Sequence, residues 1–539
     1  MDALHVPGVS VAVIHDGKIE WARGFGVTRS GGPPVTPDTL FQAASISKPV
    51  SALAAMHLVQ TGKLSLDTDI NQYLKTWTLP ENEFTQQSKV TLRGLLTHSA
   101  GVTVHGFPGY EAGTPLPSLV QILNGEPPAN SPPIRVDMLP GKIWRYSGGG
   151  YLIAQQAMED VTGKPFPTLM QDLVLRPFGM THSTYEAPLP AQRLAQVALP
   201  YWADGTPVAG GPHVYPELAP ASLWTTPSDL ASFALGIHRT LSGKADRVLS
   251  AENTRAMLVP GFNQQAIGFV VGGRTERKWL NHGGANAGYR CFMFVYQDGR
   301  DGAVVMTNSD QGDRLNNEIM RTIAHEYGWP DLAPPERVLN AMDPQTFDRY
   351  VGAYQFPNGT VLVFWRDGAQ VHSRLWGQRV FDLSSTSEQE YFTKDVDARL
   401  TFSETTVTTF QKDVAQTATR MDGAVGGAQL EWSIATEKRF KEQKPAPESE
   451  AALRRLLAGL LSGKPPYDEM VPALAQITRQ QLPELHDTVL RFGPVESMTF
   501  KRVLPNGAES YEVKFEDATR GFSILLQADG RIFAAQFAP

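Results

Sequence analysis

Two strand-forming segments bracket the first part of the chain and enclose a long, mostly helical middle. Residues 9–27 alternate in polarity around Asp16-Gly17, and residues 286–308 do so around Asp298-Gly299. An Asp-Gly pair between apolar runs is typical of a β-hairpin, so both segments are predicted to be antiparallel. Apolar residues at helical spacing predict helices at 49–62, 151–162, 227–239 and 313–327. Sheet at both ends with helices between them predicts an α+β sandwich that the two ends close.

Two proline-rich segments divide the rest of the 539-residue chain, which is too long for one hydrophobic core. The first lies at 329–335 and the second at 444–450. Aromatic and β-branched residues between them predict a small β-barrel or sandwich over 350–437. After the second segment, a helical run at 450–461 precedes hairpins at Asn506-Gly507 and Asp529-Gly530. We therefore predict three domains, 1–335, 340–440 and 447–539, the last a small α+β domain.

Composition and charge exclude several classes of function. The net charge of -7 arises from 48 basic and 55 acidic residues, so no nucleic-acid or anionic-membrane surface is expected. No apolar run is long enough to span a membrane. Cys291 is the only cysteine, which excludes an internal disulfide and a zinc site made of several thiolates. We expect neither a metal nor a cofactor, and the sequence also lacks the Gly-x-Ser-x-Gly, His-Glu-x-x-His, Walker A and Gly-x-Gly-x-x-Gly motifs.

The segment Ser45-Ile46-Ser47-Lys48 lies at the start of the helix predicted at 49–62. A serine hydroxyl needs a base to become a good nucleophile, and residues three apart on a helix share a face, so Lys48 can reach Ser45. The helix N-terminus adds free backbone N–H groups and a positive dipole. A four-residue pattern often arises by chance, and the alternative interpretation is an N-capping serine followed by a solvated lysine.

Two further segments can complete a site around this serine. Tyr146 stands in the glycine-rich loop Trp144-Arg145-Tyr146-Ser147-Gly148-Gly149-Gly150-Tyr151, which leads into the helix predicted at 151–162. Asn281-His282-Gly283-Gly284-Ala285 precedes a strand predicted to begin near Tyr289. Glycines there let a ligand lie against exposed backbone.

In this order and at these intervals, the three segments resemble the Ser-x-x-Lys, Tyr-x-Asn and Lys-Thr-Gly motifs of serine β-lactamases and penicillin-binding proteins. The third, as His-Gly-Gly, is similar to the His-x-Gly form of D-aminopeptidases, D-alanyl-D-alanine carboxypeptidases and related esterases of the S12 peptidase type. Further stretches resemble the class C group: Leu95-Leu96-Thr97-His98-Ser99-Ala100-Gly101, Arg176-Pro177-Phe178-Gly179-Met180 and Trp224-Thr225-Thr226-Pro227-Ser228-Asp229-Leu230. The resemblance covers residues 7 to about 327. It implies an α+β, β-lactamase/transpeptidase-like catalytic domain, an antiparallel sheet with a helical cluster.

The resemblance also implies a role for each residue of the site. Ser45 is expected to attack a carbonyl carbon, while Lys48 and Tyr146 remove its proton and deliver a proton to the leaving group. Backbone N–H groups of Ser45 and Ala285 are expected to bind the oxyanion, and His282, Gly284 and Ala285 are expected to line the part of the site that binds the substrate.

Four other aromatic side chains invite a functional interpretation. His282 is expected to hydrogen-bond Tyr146 or a substrate carboxylate, and the alternative interpretation is a histidine that fills a strand edge. His98 and His182 are interpreted as structural, because the stretches around them look like packing motifs. Tyr151 is interpreted as a core residue.

The chain departs from the family pattern at Gly148, where relatives usually carry an asparagine whose amide contacts an acylamino group of the substrate. Relatives also usually have a longer helix before Pro7-Gly8, so this N-terminus looks cut back. We expect a periplasmic or secreted protein if a native leader has been removed, and a cytoplasmic one otherwise. The domains after residue 335 resemble accessory modules, and the first, which opens at Tyr350-Val351-Gly352-Ala353-Tyr354, is lipocalin-like.

The resemblance implies a serine hydrolase that cleaves a peptide or amide bond through an acyl-serine intermediate. Small, D-residue-containing or otherwise non-ribosomal peptides are the expected substrates, linearised microcystins among them. One alternative is a family VIII-type carboxylesterase, and another is a penicillin-recognising binding protein that is acylated and never turns over. The expected partners are therefore a small peptide, amide or ester, with no nucleic acid and no membrane span.

Overall fold

The computed structural model describes residues 1–537 except 245–247, 274–275, 333–336, 341–343, 395, 397 and 412–413. The chain divides into two compact units, Met1–Ala333 and Pro334–Pro539. The finer division into three domains at 1–335, 340–440 and 447–539 stays a prediction.

A six-stranded antiparallel sheet forms the centre of the first unit, with the strand order β2-β1-β8-β7-β6-β5. The strands of this unit are β1 (Gly8–His15), β2 (Lys18–Gly26), β3 (Phe41–Gln42), β4 (Trp224–Thr225), β5 (Val270–Gly272), β6 (Trp279–Asn286), β7 (Tyr289–Tyr296) and β8 (Gly302–Thr307). β1 and β2 are the predicted N-terminal hairpin, and β1 also pairs with β8, with Val9 opposite Thr307. The two ends of the unit thus share one sheet, which confirms the predicted α+β class.

Helices occupy the segment between the two ends of the sheet. They are α1 (Ser47–Gln60), α2 (Glu83–Gln87), α3 (Leu92–Leu96), α4 (Leu119–Asn124), α5 (Gly148–Thr162), α6 (Phe166–Met170), α7 (Leu218–Ala221), α8 (Pro227–Leu241) and α9 (Ala251–Met257), and α10 (Gly312–Glu326) follows β8. From Ser47 to Leu58, every residue of α1 except His57 is buried, so this helix lies inside the core. α1 packs against α5 and α7, and Tyr146 lies just before α5.

α1 begins two residues before the predicted start at Pro49. Proline is tolerated there because the first four N–H groups of a helix have no partner within the helix. The segment of His282 precedes the strand that begins at Tyr289, as predicted, and it also forms part of a strand of its own, β6.

The second unit contains a closed, eight-stranded antiparallel barrel. Its strands are β9 (Gly352–Gln355), β10 (Val361–Asp367), β11 (Gln370–Leu375), β12 (Val380–Ser385), β13 (Glu390–Thr393), β14 (Ala398–Phe402), β15 (Thr406–Gln411) and β16 (Val414–Arg420). Each strand pairs with the next along the chain, and β16 closes the barrel on β9. This up-and-down order is that of lipocalin-like barrels and confirms the predicted β domain.

Helices and a smaller sheet complete the second unit. They are α11 (Gly423–Glu442), α12 (Ser449–Leu461), α13 (Pro472–Phe492), β17 (Val495–Val503), β18 (Glu509–Phe515), β19 (Thr519–Leu526) and β20 (Ile532–Phe537). The four strands form an antiparallel sheet in chain order, and α12 and α13 pack against it. The hairpins at Asn506-Gly507 and Asp529-Gly530 join its strands as predicted.

The sequence prediction is wrong for two helices of this unit. The barrel strands end at Arg420, and α11 takes up the rest of the segment predicted as β structure. Its glycines are poor helix formers, and its buried face, Gly426, Gln429, Ser433 and Thr436, gives no apolar stripe to recognise. α13 was not predicted, since it begins with one proline and contains another, Pro483.

Candidate active site

Ser45 lies in the short 3₁₀ turn Ala44–Ile46, directly before α1. Ala44 has φ of 49°, a left-handed conformation that residues other than glycine seldom adopt. Such strained positions persist only where the surrounding structure enforces them, and they cluster at functional sites. Ser45 is half-buried while both neighbours in the turn are buried. The turn thus presents one hydroxyl at the positive end of a fixed helix.

Lys48 is the immediate partner of this hydroxyl. Its Nζ donates to Ser45 Oγ at 3.0 Å and to the carbonyl of Pro220 at 3.1 Å. The side chain is 2% exposed, and burial lowers its pKa to about 7. A neutral amine is therefore available near neutral pH, and a neutral amine can accept the proton of Ser45.

Tyr146 is the second group on the serine. Its phenol is hydrogen-bonded to Ser45, and burial raises its pKa to about 12. Lys48 Nζ lies 4.8 Å from the centre of the Tyr146 ring. The phenol is therefore neutral at pH 7 and holds a proton that it can donate, while the amine beside it can take one.

β6 forms the opposite wall of the site. A Cβ atom on Gly284 would lie 2.1 Å from the carbonyl oxygen of Ala43, so only glycine lets this strand approach the serine turn. Asn286 pairs with Tyr289 across a two-residue turn, so alternate β6 residues bond to β7. The N–H of Ala285 therefore points away from β7, to the side of β6 on which β5 lies. β5 pairs with β6 only as far as Asn281, so it does not reach Ala285. That edge of β6 lies against the turn that contains Ser45, and no backbone carbonyl of the described residues accepts this N–H.

His282 is buried in the same strand and neutral. It is 7% exposed, and its Nδ1–H donates to the carbonyl of Gly283 at 2.6 Å. Burial, and then the charge of Lys48, lower its pKa to about 4. It can therefore accept a hydrogen bond at Nε2 but carries no positive charge at pH 7.

Two histidines that the sequence analysis did not place in the site contact Tyr146. The ring centre of His98 lies 4.3 Å from that of Tyr146, and that of His105 lies 4.8 Å from it. His98 belongs to the stretch 95–101 that resembles the class C group, and that stretch is the one signal that could have pointed to it. His105 carries no comparable signal. The structure therefore brings Ser45, Lys48 and Tyr146 into direct contact and adds two rings around the tyrosine.

Gly148 packs closely against a loop, which crowds the position where a side chain would begin. A Cβ atom there would lie 2.8 Å from a ring carbon of Phe107 and 3.2 Å from the carbonyl oxygen of His105. The same carbonyl accepts the N–H of Gly148 at 3.0 Å, and that of Val104 accepts the N–H of Gly149 at 3.1 Å. The loop therefore fills the space beside Tyr146, and its carbonyls accept the first N–H groups of α5.

Tyr151, which the sequence analysis interpreted as a core residue, and Cys291 both lie in the core of the first unit. Tyr151 is fully buried and donates to the carbonyl of Leu96 at 3.0 Å. The thiol of Cys291 is buried against the carbonyl of Gln42, and burial raises its pKa. Among the described residues, no group of three or more histidines, cysteines and carboxylates is placed to hold a metal ion. Within the same part of the chain, no helix is long and apolar enough to cross a membrane.

Comparisons with known proteins bear on the family and the fold of the chain. The family model described as "Beta-lactamase" matches residues 1–326. Penicillin-binding protein 4* of Bacillus subtilis (strain 168) is 23% identical over 425 residues, which cover 73% of this chain and 89% of that protein. Esterase EstB of Burkholderia gladioli is 30% identical over 210 residues, 37% of this chain and 51% of its own. The structure of the octameric penicillin-binding protein homologue from Pyrococcus abyssi shares the fold, with a TM-score of 0.53, 21% identity and coverage of 77% of this chain and 97% of that one.

Proposed function

Because this chain belongs to the β-lactamase family and is a serine hydrolase, we propose that it cleaves a peptide or amide bond through an acyl intermediate on Ser45. The observation that carries the proposal is the 3.0 Å contact between Ser45 Oγ and Lys48 Nζ, an amine whose pKa is about 7. Small peptides that contain D-residues or are otherwise non-ribosomal are the proposed substrates, and linearised microcystins fall within that class.

Acylation begins with attack of Ser45 Oγ on the carbonyl carbon. Neutral Lys48 takes the hydroxyl proton as the C–O bond forms, and the backbone N–H groups of Ser45 and Ala285 donate to the developing oxyanion. Tyr146 then gives its proton to the leaving group and recovers one from Lys48. Water attacks the acyl-serine ester in the second half of the reaction, with the same two groups moving protons in the reverse sense.

The state of Tyr146 favours amide substrates. An amine leaves as a neutral molecule only if its nitrogen is protonated while the C–N bond breaks. A phenol with a pKa of about 12 stays protonated at pH 7. It is hydrogen-bonded to Ser45, so it lies close to the leaving nitrogen once the serine has attacked the carbonyl carbon. An alkoxide or phenoxide leaving group depends less on such a donor.

A second candidate function is that of a carboxylesterase. Its support is the 30% identity with Esterase EstB over 210 residues. Esters need the same nucleophile and base, so the two functions differ in how far turnover depends on Tyr146.

Penicillins and cephalosporins are proposed to be poor substrates. Gly148 offers no amide to a β-lactam side chain, and Phe107 fills the space beside it. His282, with a pKa of about 4, offers no charge to the ring carboxylate. Loss of one charged hydrogen bond costs about 1.5 to 3 kcal/mol, or tenfold and more in specificity. A kcat/KM for nitrocefin above those of a broad panel of esters and D-peptides would instead make this protein a β-lactamase.

The function is tested by one substrate panel and one labelling experiment. D-alanyl and L-alanyl nitroanilides, nitrophenyl esters and nitrocefin are compared by kcat/KM, and anilide turnover is expected. Turnover of esters alone would favour the carboxylesterase, and a stable adduct with nitrocefin without turnover would favour a penicillin-recognising binding protein. Intact-mass and peptide mapping after treatment with a phosphonate should place the adduct on Ser45. An adduct on Ser147 would transfer the nucleophilic role to that residue.

A further inference from the structure

His98 holds the chain on both sides of Tyr146. Its backbone carbonyl accepts the N–H of Arg145 at 2.8 Å. Its ring nitrogen Nδ1 accepts the N–H of Ser147 at 3.1 Å. Its ring centre lies 4.3 Å from that of Tyr146. One residue therefore fixes the residue before the tyrosine, the residue after it and the tyrosine ring itself.

His98 is itself firmly held in an unusual conformation. Its φ is 59°, in the left-handed region. In this conformation both its carbonyl and its ring contact residues 145–147. It is 2% exposed, and its ring also packs against Tyr151 at 5.5 Å and Trp144 at 6.3 Å. Backbone strain of this kind persists only where the surrounding structure enforces it. Here the strained residue contacts Tyr146, a hydrogen-bond partner of Ser45.

The hydrogen bond to Ser147 requires a neutral imidazole, because Nδ1 must accept. Burial, and then the charge of Lys48, hold the pKa of His98 well below its ordinary value. The acceptor is therefore present throughout the neutral pH range. His98 does not need to exchange a proton to do this, and neither ring nitrogen is hydrogen-bonded to Ser45: Nδ1 accepts from Ser147, and Nε2 has no hydrogen-bond partner among the described residues.

The tyrosine depends on such support because three glycines come soon after it in the chain. Gly148, Gly149 and Gly150 supply no side chains at the start of α5, so its position rests on the packing of its backbone against residues 103–107, on backbone hydrogen bonds and on the cap by Ser147. A shift of about 1 Å in a catalytic group can cost roughly 100-fold in rate. The phenol of Tyr146 must stay on Ser45 to transfer its proton.

We propose that His98 is a positioning residue, a clamp that holds the phenol of Tyr146 on Ser45. The inference rests on the proton-transfer role proposed for Tyr146 above. It changes the interpretation of His98 from a packing residue to a determinant of the acylation step.

The test is a double-mutant cycle between His98 and Tyr146. His98→Ala removes the ring and the Nδ1 acceptor, whereas His98→Asn keeps a side-chain acceptor and tolerates the left-handed conformation. We expect His98→Ala to lower kcat for an anilide about 10- to 100-fold with little change in KM. His98→Asn should recover at least part of that loss. In a Tyr146→Phe background, His98→Ala should cost less than about threefold, since the hydroxyl it positions is already gone.

Each other outcome overturns one specific statement. An equal loss from His98→Ala in both backgrounds would mean that the residue supports the fold and not the tyrosine, and the clamp would be wrong. Full kcat in His98→Ala together with a lowered unfolding temperature would likewise mean that His98 supports the fold and does not position Tyr146. Full activity in Tyr146→Phe alone would remove the role of Tyr146, whatever His98 does. If His98→Ala does not fold, the same cycle is run with His98→Asn, and His182→Ala, at a half-exposed histidine beside Asp229, is the control for removal of an imidazole.

Discussion

Around Ser45 the first unit buries ionisable side chains, whereas the barrel of the second unit fills its interior with aromatic rings. Lys48 and His282 are almost wholly buried, with pKa values of about 7 and about 4. In the barrel, the ring of Phe402 lies 4.7 to 6.2 Å from those of five other residues, Phe347, Tyr350, Tyr354, Phe364 and Tyr391. Both regions exclude water, the site from an amine and an imidazole and the interior of the barrel from aromatic rings.

Burial has a different consequence in each region: it changes pKa values around Ser45 and adds stability in the barrel. Taking an amine or imidazole out of water disfavours its charged form, which costs stability and yields a base that works at neutral pH. Taking a phenyl ring out of water contributes stability and no reactivity. Substitutions in the site should therefore reduce rates more than stability, and substitutions in the barrel should do the opposite.

The largest effect is expected from Ser45→Ala. Without the hydroxyl no acyl intermediate can form, so turnover should fall on the order of 10⁶-fold. The free energy of unfolding should change by no more than about 1 kcal/mol, because the loss of a small polar group at a helix start costs little. Steady-state assays and denaturant unfolding of the same preparation measure the two quantities. Activity close to that of the parent in a folded variant would end the assignment of Ser45.

Lys48→Ala and Tyr146→Phe should each lower the acylation rate by roughly 10² to 10⁴-fold. Because the two groups move the same proton, the double variant should lose less than the product of the single losses. kcat/KM of the parent should rise as the pH increases through about 7, where Lys48 becomes neutral, and should show no alkaline fall below the pKa of Tyr146, about 12.

The pH profile of the variants provides the control. Lys48→Ala should lose the rise near pH 7, while Tyr146→Phe should keep it. Independent, multiplicative losses, or a rise near pH 7 that survives in Lys48→Ala, would contradict a shared proton network.

Hairpins and helix periodicity made the first unit predictable. Asp-Gly turns marked β1 with β2 and β7 with β8, and the apolar positions of α1, α5, α8 and α10 gave their helices to within a few residues. α11 could not be predicted, because its buried face is made of Gly426, Gln429, Ser433 and Thr436 and it is stabilised by what packs on it. Periodicity detects apolar stripes, and a helix with a small, polar buried face has none.

Three motifs made the core of the site predictable, while its surroundings depend on contacts between distant segments. Ser45 lies in the 3₁₀ turn that leads into α1, three residues before Lys48, so their contact follows from spacing alone. The ring of His98 reaches Tyr146 only because residues 95–101 fold against the start of α5. The contact of Gly284 with Ala43 likewise joins segments far apart in the chain. No local pattern encodes such approaches.

Phe402→Ala should give the largest loss of stability in the barrel. Removal of a buried ring leaves a cavity and costs about 3 to 5 kcal/mol, and Phe402 loses contacts with several rings at once. Denaturant unfolding of the full chain, followed by tryptophan fluorescence and circular dichroism, measures the shift. Phe410→Ala, a half-buried ring on β15 beneath Arg399, is the matched control and should cost clearly less. Equal costs would mean that the barrel interior is not the main source of stability in that domain.

The smallest effect is expected at Glu217, a buried ionisable group that has no assigned role in the chemistry. Glu217 is fully buried just before α7, and neither of its carboxylate oxygens has a hydrogen-bond partner within the described residues. Burial raises its pKa from 4.5 to about 8. Between these values the folded protein retains a proton that the unfolded chain has released, so the contribution of Glu217 to stability falls as the pH rises from about 4.5 to about 8.

Glu217→Gln should remove that fall, since an amide of the same shape does not ionise. Relative to the parent, the variant should gain stability steadily from pH 5 to pH 8, by roughly 1 to 3 kcal/mol at the upper end, and no further above it. Denaturant unfolding at pH 5, 6, 7 and 8 measures the difference, in which the titration of Lys48 cancels because both proteins contain it. Glu252→Gln, at an exposed position on α9, controls for the loss of one negative charge and should show no such trend. A difference between Glu217→Gln and the parent that is constant with pH would mean that the carboxyl is paired and that its burial does not lower the stability of the folded protein as the pH rises.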